Sequence, residues 1–542
     1  MIACNNASHA RNRRTGLLIF AAWLLMALFL AGHHAFWRDE VRAFSFAIQG
    51  GNVIDMLAGV HGEGHPALWY LLLRSAHFLA PTPHVLPVVA LLVAGGSMLL
   101  LVLYAPFRWP LVALIACSYF AVYEYAVMAR NYGISMLLLF ALAVSYPRWR
   151  DRGIVPGLLL LLLASTNVHS VVLVGAFLLY WLVDLLREDG MRWTPALSHY
   201  SLNVLLAGIG IAACIATVYP PFNDAAVIAR PDGPTWRLLA KAVLLPADSC
   251  FDLALKSPLA VLAGAGAAAV GPPNWLRWIM SLVMFGSTLG LVRSPGALLA
   301  ALLSLVGLSL LFVLVYQGGY RHEALWLVFV ITLYWIMLSR GDARRFRASA
   351  RLEPVVSLLS RTGWILLVVL LLVQVPASVN ALAQAARHAP PDSQSREFAA
   401  FLATQPRLKD AIIMADPDYL VESLPYYLRN PIYLLREQRF GTVVKFRKQA
   451  VVRLTLDDIL DNARRLHAQS GKPVLILLRE HLGTAERGRI VREGYNWTLV
   501  LTGEQVARFR DATELLAPAI PVNQDQTADV ENFDVYRLRT EQ

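Results

Sequence analysis

Apolar runs recur from residue 15 to residue 378, separated by short polar stretches, each run about as long as a bilayer is thick. The first, "TGLLIFAAWLLMALFLAG", follows the basic "ARNRRT". At about 18 residues with no small-residue cleavage site after it, it reads as an uncleaved span and not a signal peptide. Further spans are expected at about 84 to 104, 110 to 127, 132 to 146, 154 to 165, 169 to 186, 201 to 219, 275 to 292, 297 to 316, 322 to 338 and 361 to 378. That makes roughly eleven, and an odd number puts the two ends of the chain on opposite sides. The Ala/Gly-rich run "LAVLAGAGAAAVGPP", 258 to 273, is read as interfacial or re-entrant, because counting it as a span would invert everything after it.

After residue 378 the pattern changes. Amphipathic helical stretches such as "SREFAAFLATQPRLKD" alternate with short strand candidates "AIIMAD", "PVLILL", "WTLVLT" and "FDVYRL". The expected organisation is a polytopic α-helical membrane part, 1 to 378, with a long first outer loop at 35 to 83, and a soluble α/β domain, 379 to 542.

Composition agrees: the chain is 57% hydrophobic and only 16% charged. Its mean hydropathy is +0.51. The formal charge of +11 does not indicate a nucleic-acid partner, because the basic residues sit in short loops between apolar runs and not on a folded polar surface. Cys4, Cys117, Cys214 and Cys250 have neither metal-type nor redox spacing, so no disulfide framework is implied. With the N-terminus in the cytoplasm, the loops "PRWRDRG", "REDGMRW", "VRSPG" and "SRGDARRFRASAR" are cytoplasmic too. That side carries about fifteen Lys/Arg in about 66 loop residues, against about nine in about 122 on the other. The expected location is a bacterial inner membrane, with the C-terminal domain periplasmic or extracellular.

Polar residues then fall on one side. Asp39 and Glu40 follow span one, and His61, Glu63 and His65 lie in the first outer loop. Glu124, Arg130 and Tyr132 occupy the turn between spans three and four, Asn167 and His169 the next outer turn, and Arg321, His322 and Glu323 the outer start of span ten. Taken alone, each is more often a headgroup contact or a satisfied hydrogen-bonder than a catalytic group. Five clusters on one face point to a single outward-facing site, because ionisable groups at membrane depth face a cavity or one another.

Three elements in order, "RDE" (38 to 40), "GHPALWYLLL" (64 to 73) and "ARNY" (129 to 132), with "NVHS" (167 to 170) and "YRH" (320 to 322) less specific, resemble the GT-C superfamily of polyprenyl-phosphate-sugar-dependent glycosyltransferases. Lipid A aminoarabinose transferases, protein O-mannosyltransferases and rhizobial lipopolysaccharide glycosyltransferases are the nearest groups. The resemblance covers about residues 15 to 380. Members often carry an acidic residue directly before the His/Lys-Pro; this chain has Gly64 there and Glu63 one position earlier, and Ala67 for the second Pro. If Glu63 supplies that charge, the turn allowed by Gly62 and Gly64 brings it to Asp39 and Glu40.

The resemblance implies a GT-C-like fold of about eleven transmembrane helices and an inverting hexosyl- or pentosyltransferase. Its donor would be a polyprenyl-phosphate-linked sugar, its acceptor a lipid, glycan or protein, and membrane lipids its surroundings. Asp39 is expected as the base, its pKa raised by aromatic and apolar neighbours. Glu40 would orient the acceptor or the sugar, and Glu63 would be a further catalytic carboxylate. Arg130 and Arg321 would hold the phosphate, with His65, Tyr132, His322, Glu124 and His169 binding substrate. No cofactor is required by this reading; a divalent metal is left open, without a metal-ligand motif. An oligosaccharyltransferase or polysaccharide ligase with a pyrophosphate-linked donor is the alternative. A transporter is a poorer fit, because it calls for two related halves and charges at mid-membrane.

Overall fold

The structure, a computed structural model, describes residues 13 to 190, 192 to 224, 236 to 249, 274 to 315, 318 to 341, 349 to 389, 391 to 482, 489 to 521 and 531 to 539. The run at 258 to 273 lies outside the described residues. Among the described residues the membrane part is built of helices and contains no strand. Helix α1 spans Arg13–His33, α2 Arg38–Ile48, α3 Val53–Val60, α4 Leu68–Leu79, α5 Val85–Tyr104, α6 Trp109–Ala116, α7 Tyr132–Trp149, α8 Val155–Ala164, α9 Val168–Asp189 and α10 Pro195–Val218. Beyond them come Asn274–Thr288, Pro295–Leu314, Tyr320–Arg340, Glu353–Leu372 and Val375–Ala386.

Every expected span falls on a helix, but the lengths differ. Among the described residues, seven helices are long and apolar enough to cross a membrane. The run expected at 110 to 127 is broken: α6 stops at Ala116 and a buried π-helical turn, Phe120–Glu124, follows. Its aromatic side chains pack into the bundle core and the chain turns there, so apolar length alone overestimates the helix.

Burial separates lipid-facing from central helices. Only 22% of the apolar window of α1 and of α10 is buried, against 89% for Tyr320–Arg340. That helix is apolar all round because it is enclosed by its neighbours, with Trp326 and Trp335 fully buried. Exposed Leu17, Leu18 and Leu25 on α1, and Leu205, Ile209 and Ile215 on α10, form apolar outer faces instead.

Helix ends follow local chemistry. Asn167 caps α9 by accepting from the Ser170 amide, and Thr194 caps α10 with Pro195 in the first turn. At one end of the bundle, Arg340 bridges Asp184 and Glu188 of α9 and Arg150 pairs with Glu188. Because Tyr320–Arg340 is a single helix, its first turn, with Arg321 and His322, lies at the opposite end.

All four strand candidates are strands in the C-terminal domain. They are β1 Ile412–Asp416, β5 Val474–Leu478, β7 Trp497–Thr502 and β9 Asp534–Leu538, joined by β2 Ile432–Leu434, β3 Arg439–Phe440, β4 Arg453–Thr455, β6 Arg489–Gly494 and β8 Thr513–Ala517. The larger sheet has order β3-β2-β1-β5-β9-β8, parallel across β2-β1-β5 and antiparallel outside; β4-β7-β6 form a smaller sheet. The central strands β1 and β5 are buried at every position, which is why they read as unbroken apolar runs. "DPD", 416 to 418, is a structural turn: Asp416 pairs with Arg436, and Asp418 accepts from the amides of Leu435 (2.7 Å) and Arg436 (2.9 Å).

Candidate functional site

The site is built on the first turn of α2. Glu40 reaches back to the Trp37 amide (3.3 Å) in the manner of a capping residue, which starts the helix directly after the four-residue link from α1. The same carboxylate bonds His34 Nε2 at 2.8 Å and accepts from the Ala129 amide at 2.6 Å. Glu40 is fully buried. The expectation that it orients a substrate is therefore corrected: its oxygens tie α1, α2 and the "ARNY" loop together.

Asp39, next in sequence but about 100° round the helix, points in a different direction and is 24% exposed. Its Oδ2 meets Arg130 Nη1 at 3.3 Å and Arg321 Nη2 at 3.5 Å, while Arg38 Nε lies 3.7 Å from Oδ1. Arg130 Nη1 also donates to the Asp39 carbonyl at 2.7 Å. Arg321 is further fixed by the Trp37 ring, 4.9 Å from its guanidinium carbon, and its carbonyl accepts from Tyr125. The electrostatics reverse the expectation for Asp39. Burial works against its charge, but Arg130, Arg321 and Arg38 outweigh that and hold the carboxyl well below the usual carboxylate range. The aromatic surroundings foreseen for a raised pKa are present, and the three cations override them.

The loop after α3 brings in the second carboxylate. Gly62 has φ +83°, and a Cβ there would stand 2.7 Å from the Pro220 carbonyl, so the close pairing of this loop with residues 217 to 222 requires glycine. Gly64 has φ +103°. Between them Glu63 turns inward, bonding His65 Nδ1 at 2.9 Å, Arg42 Nε at 3.2 Å and the Tyr70 hydroxyl. Burial raises its pKa, but His65, Arg42 and Tyr70 together bring it down to about 2. Glu63 thus joins the site without touching Asp39; the link runs through His65, whose Nε2 lies 3.2 Å from Arg130 Nη2.

Below this layer, His322 packs at 4.6 Å against His169 and at 5.1 Å, edge-on, against Tyr132. His322 Nδ1 accepts from the Gly319 amide, and His169 Nδ1 is buried with no hydrogen-bond partner among the described residues. Glu124 is buried in the π-helical turn within reach of the Arg321 charge, and one of its carboxylate oxygens has no hydrogen-bond partner among the described residues.

Sequence reading missed Arg42, Trp37, Tyr70 and Glu422. Arg42 lies one turn after Asp39 on the same helix, and its guanidinium joins Glu63, Glu422 and the Val444 carbonyl (2.6 Å). The C-terminal domain therefore abuts the site. The Phe36 amide donates to the Tyr427 hydroxyl at 2.8 Å, Glu531 accepts from the Arg38 amide at 2.8 Å, and Arg38 lies over the Tyr419 ring. Beside these contacts, a cleft of about 520 Å³ opens between the end of α2, at Phe46 and Gln49, and the segment carrying Arg439, Lys445 and Arg447. Among the described residues no group of three or more His, Cys, Asp or Glu is placed to hold a metal ion.

Fold and site together define a polytopic helical membrane protein with an arginine-rich polar site at one end of its bundle and a strand-containing C-terminal domain against it. No family model and no curated protein matches the chain. It is similar to the crystal structure of ArnT from Cupriavidus metallidurans in the apo state, with TM-score 0.46 and 14% identity, over 90% of this chain and 98% of that one. The structure of ArnT from the same organism bound to undecaprenyl phosphate gives TM-score 0.43 and 14% identity, over 89% and 97%.

Proposed function

We propose that this chain is a membrane glycosyltransferase that moves a sugar from a polyprenyl-monophosphate carrier to a lipid, glycan or protein acceptor. The convergence of Arg130 and Arg321 on one oxygen of Asp39 carries this reading. Two guanidinium groups 3.3 and 3.5 Å from a shared carboxylate oxygen are longer than tight charge-assisted bonds, so a phosphate competes well for both. The position at the end of a lipid-facing bundle suits a donor whose head reacts while its tail stays in the bilayer. The motifs "RDE", "GHPALWYLLL" and "ARNY" meet in this one place, in support of the family resemblance.

In the proposed reaction an acceptor hydroxyl attacks the anomeric carbon. The new carbon–oxygen bond forms as the bond to the phosphate oxygen breaks, its electron pair leaving on the phosphate, and the hydroxyl proton passes to solvent water. Arg130 and Arg321 neutralise the departing phosphate. Asp39, held ionised, supplies negative charge beside the sugar as positive charge develops there, and residues 379 to 542 close the site from outside. The Lys/Arg bias of the loops supports an N-terminus in the cytoplasm and a site on the outer face of a bacterial inner membrane.

The test compares envelope lipids, glycans and glycoproteins by mass spectrometry in cells with the protein, without it, and with Arg130→Ala/Arg321→Ala. A sugar-bearing species that depends on the protein and on both arginines supports the reading. Identical pools in all three overturn it.

A further inference from the structure

Arg130 approaches His65 through a contact whose chemistry permits one arrangement of protons. A guanidinium has N–H groups and no acceptor, so at 3.2 Å the ring's Nε2 receives the bond from Arg130 Nη2 through its lone pair. The ring proton is then on Nδ1, where the Glu63 carboxylate accepts it at 2.9 Å. Glu63 is held in place by Tyr70 and by Arg42, which is itself anchored on Glu422. The series Glu422, Arg42, Glu63, His65, Arg130 thus fixes both the imidazole tautomer and the guanidinium.

We propose that His65 is the positioning residue for Arg130, setting it for a phosphate while the imidazole is neutral and releasing it on protonation. A second ring proton would sit on Nε2 and face the guanidinium, replacing a hydrogen bond with two donors and two positive charges at contact distance. Arg130 then keeps only its two contacts to Asp39, the carbonyl at 2.7 Å and Oδ2 at 3.3 Å. The donor site is therefore proton-sensitive although neither phosphate-binding side chain titrates. His65 is 28% exposed, so protons reach it directly.

The groups facing His65 are Glu63, Asp39 and Arg130, with His169 and His322 on the bundle side. Arg42 and Tyr70 act only through Glu63.

This inference rests on the proposed polyprenyl-phosphate donor, and the probe keeps the two separable. A polyprenyl methyl phosphate diester carries one negative charge across the neutral range, unlike a phosphate monoester, whose second ionisation falls near pH 6. Its binding to the full-length protein in detergent is measured from pH 5 to pH 8, with no variant needed for the main arm. The dissociation constant is expected to rise about tenfold per pH unit on the acid side of an imidazole titration and to level off above it. In His65→Gln the side-chain amide oxygen accepts from Arg130 without titrating, so affinity at pH 8 stays within about threefold of wild type and the acid-side rise disappears. His65→Ala binds more weakly at every pH and shows no rise. A wild-type constant that does not change with pH overturns the inference and leaves the donor reading intact, as does a rise that persists in His65→Gln. No binding of the diester by the wild type at pH 8 removes both.

Discussion

Arg42 and Glu422 stand 380 positions apart in the chain and meet in a buried ion pair that joins one end of the helical bundle to the C-terminal domain. Arg42 also binds Glu63 and the Val444 carbonyl, so one guanidinium holds three separate parts of the molecule. Removing Arg42 strands the Glu422 charge in a dry place, whereas removing Glu422 leaves Arg42 its bonds to Glu63 and the Val444 carbonyl.

Arg42→Gln is accordingly expected to destabilise the protein by about 3 to 5 kcal/mol and Glu422→Gln by less, while an apolar pair, Arg42→Met with Glu422→Leu, recovers much of the Arg42→Gln loss. Thermal unfolding in detergent measures both, and limited proteolysis should show the 391 to 482 region cut first in the single variants. A single variant as stable as wild type would mean that the C-terminal domain is held by its other contacts, such as Tyr427 on Phe36.

Arg130→Ala and Arg321→Ala are each expected to weaken polyprenyl-phosphate binding, with acceptor affinity little changed. Lys at either position restores only part, because an ammonium cannot offer the planar fork. The loss should be larger at Arg130, which hydrogen-bonds both the Asp39 carbonyl and His65 and is the more buried of the two. Equal donor affinity in both Ala variants and wild type would leave these residues as membrane-interface anchors.

Much of this arrangement is legible in the sequence, for identifiable reasons. Strands β1 and β5 are buried on both faces and so appear as continuous apolar runs. Asp39, Arg130 and Arg321 meet because each lies near a span end on the same side, which alternation of the spans dictates, and His65 joins them from the loop on that side. The division of labour between Asp39 and Glu40 is hidden, because adjacent residues diverge by about 100° only once the segment is known to be a helix. Glu422 leaves no local trace, since its role depends on a partner 380 positions away. The short α6 is hidden too: the apolar run continues through Phe120–Glu124 although the α-helix does not.

Glu63 carries a pH dependence of stability with a definite sign. Its folded pKa is lowered from 4.5 to about 2, so its contribution is fully present above pH 4.5 and is lost as the pH falls toward 2. Glu63→Gln should be less stable than wild type at pH 7 by on the order of 3 kcal/mol, with the gap closing near pH 2. Moving the carboxylate by Glu63→Gly with Gly64→Glu should not rescue it. Gly64 sits at φ +103°, where a glutamate is strained, and the new side chain starts from a different point of the turn. Recovery of wild-type stability in the double variant would show that the loop refolds around the displaced charge.

Asp39→Asn should separate binding from turnover. The amide keeps the shape of the side chain but removes the negative charge shared by Arg130 and Arg321, so both guanidinium groups become better phosphate ligands. Polyprenyl-phosphate affinity is expected to rise severalfold while turnover falls about a hundredfold to a thousandfold, the scale of losing one preorganised charge beside a developing one. Because the three arginines hold the Asp39 carboxyl well below the usual range, it stays ionised throughout pH 5 to 8. The variant should therefore lower the pH-rate profile without changing its shape in that window, whereas loss of a base that titrates there would remove the acid limb. The same sign holds for stability: the depressed carboxyl stabilises the fold above its unfolded pKa of 3.8 and ceases to do so as the pH falls through its folded value, so the variant's deficit is present at pH 7. Turnover near wild type in Asp39→Asn would take the carboxylate out of the chemistry altogether. A lost acid limb with unchanged phosphate affinity would instead return Asp39 to the role of base, freed from the arginines once the donor has bound them.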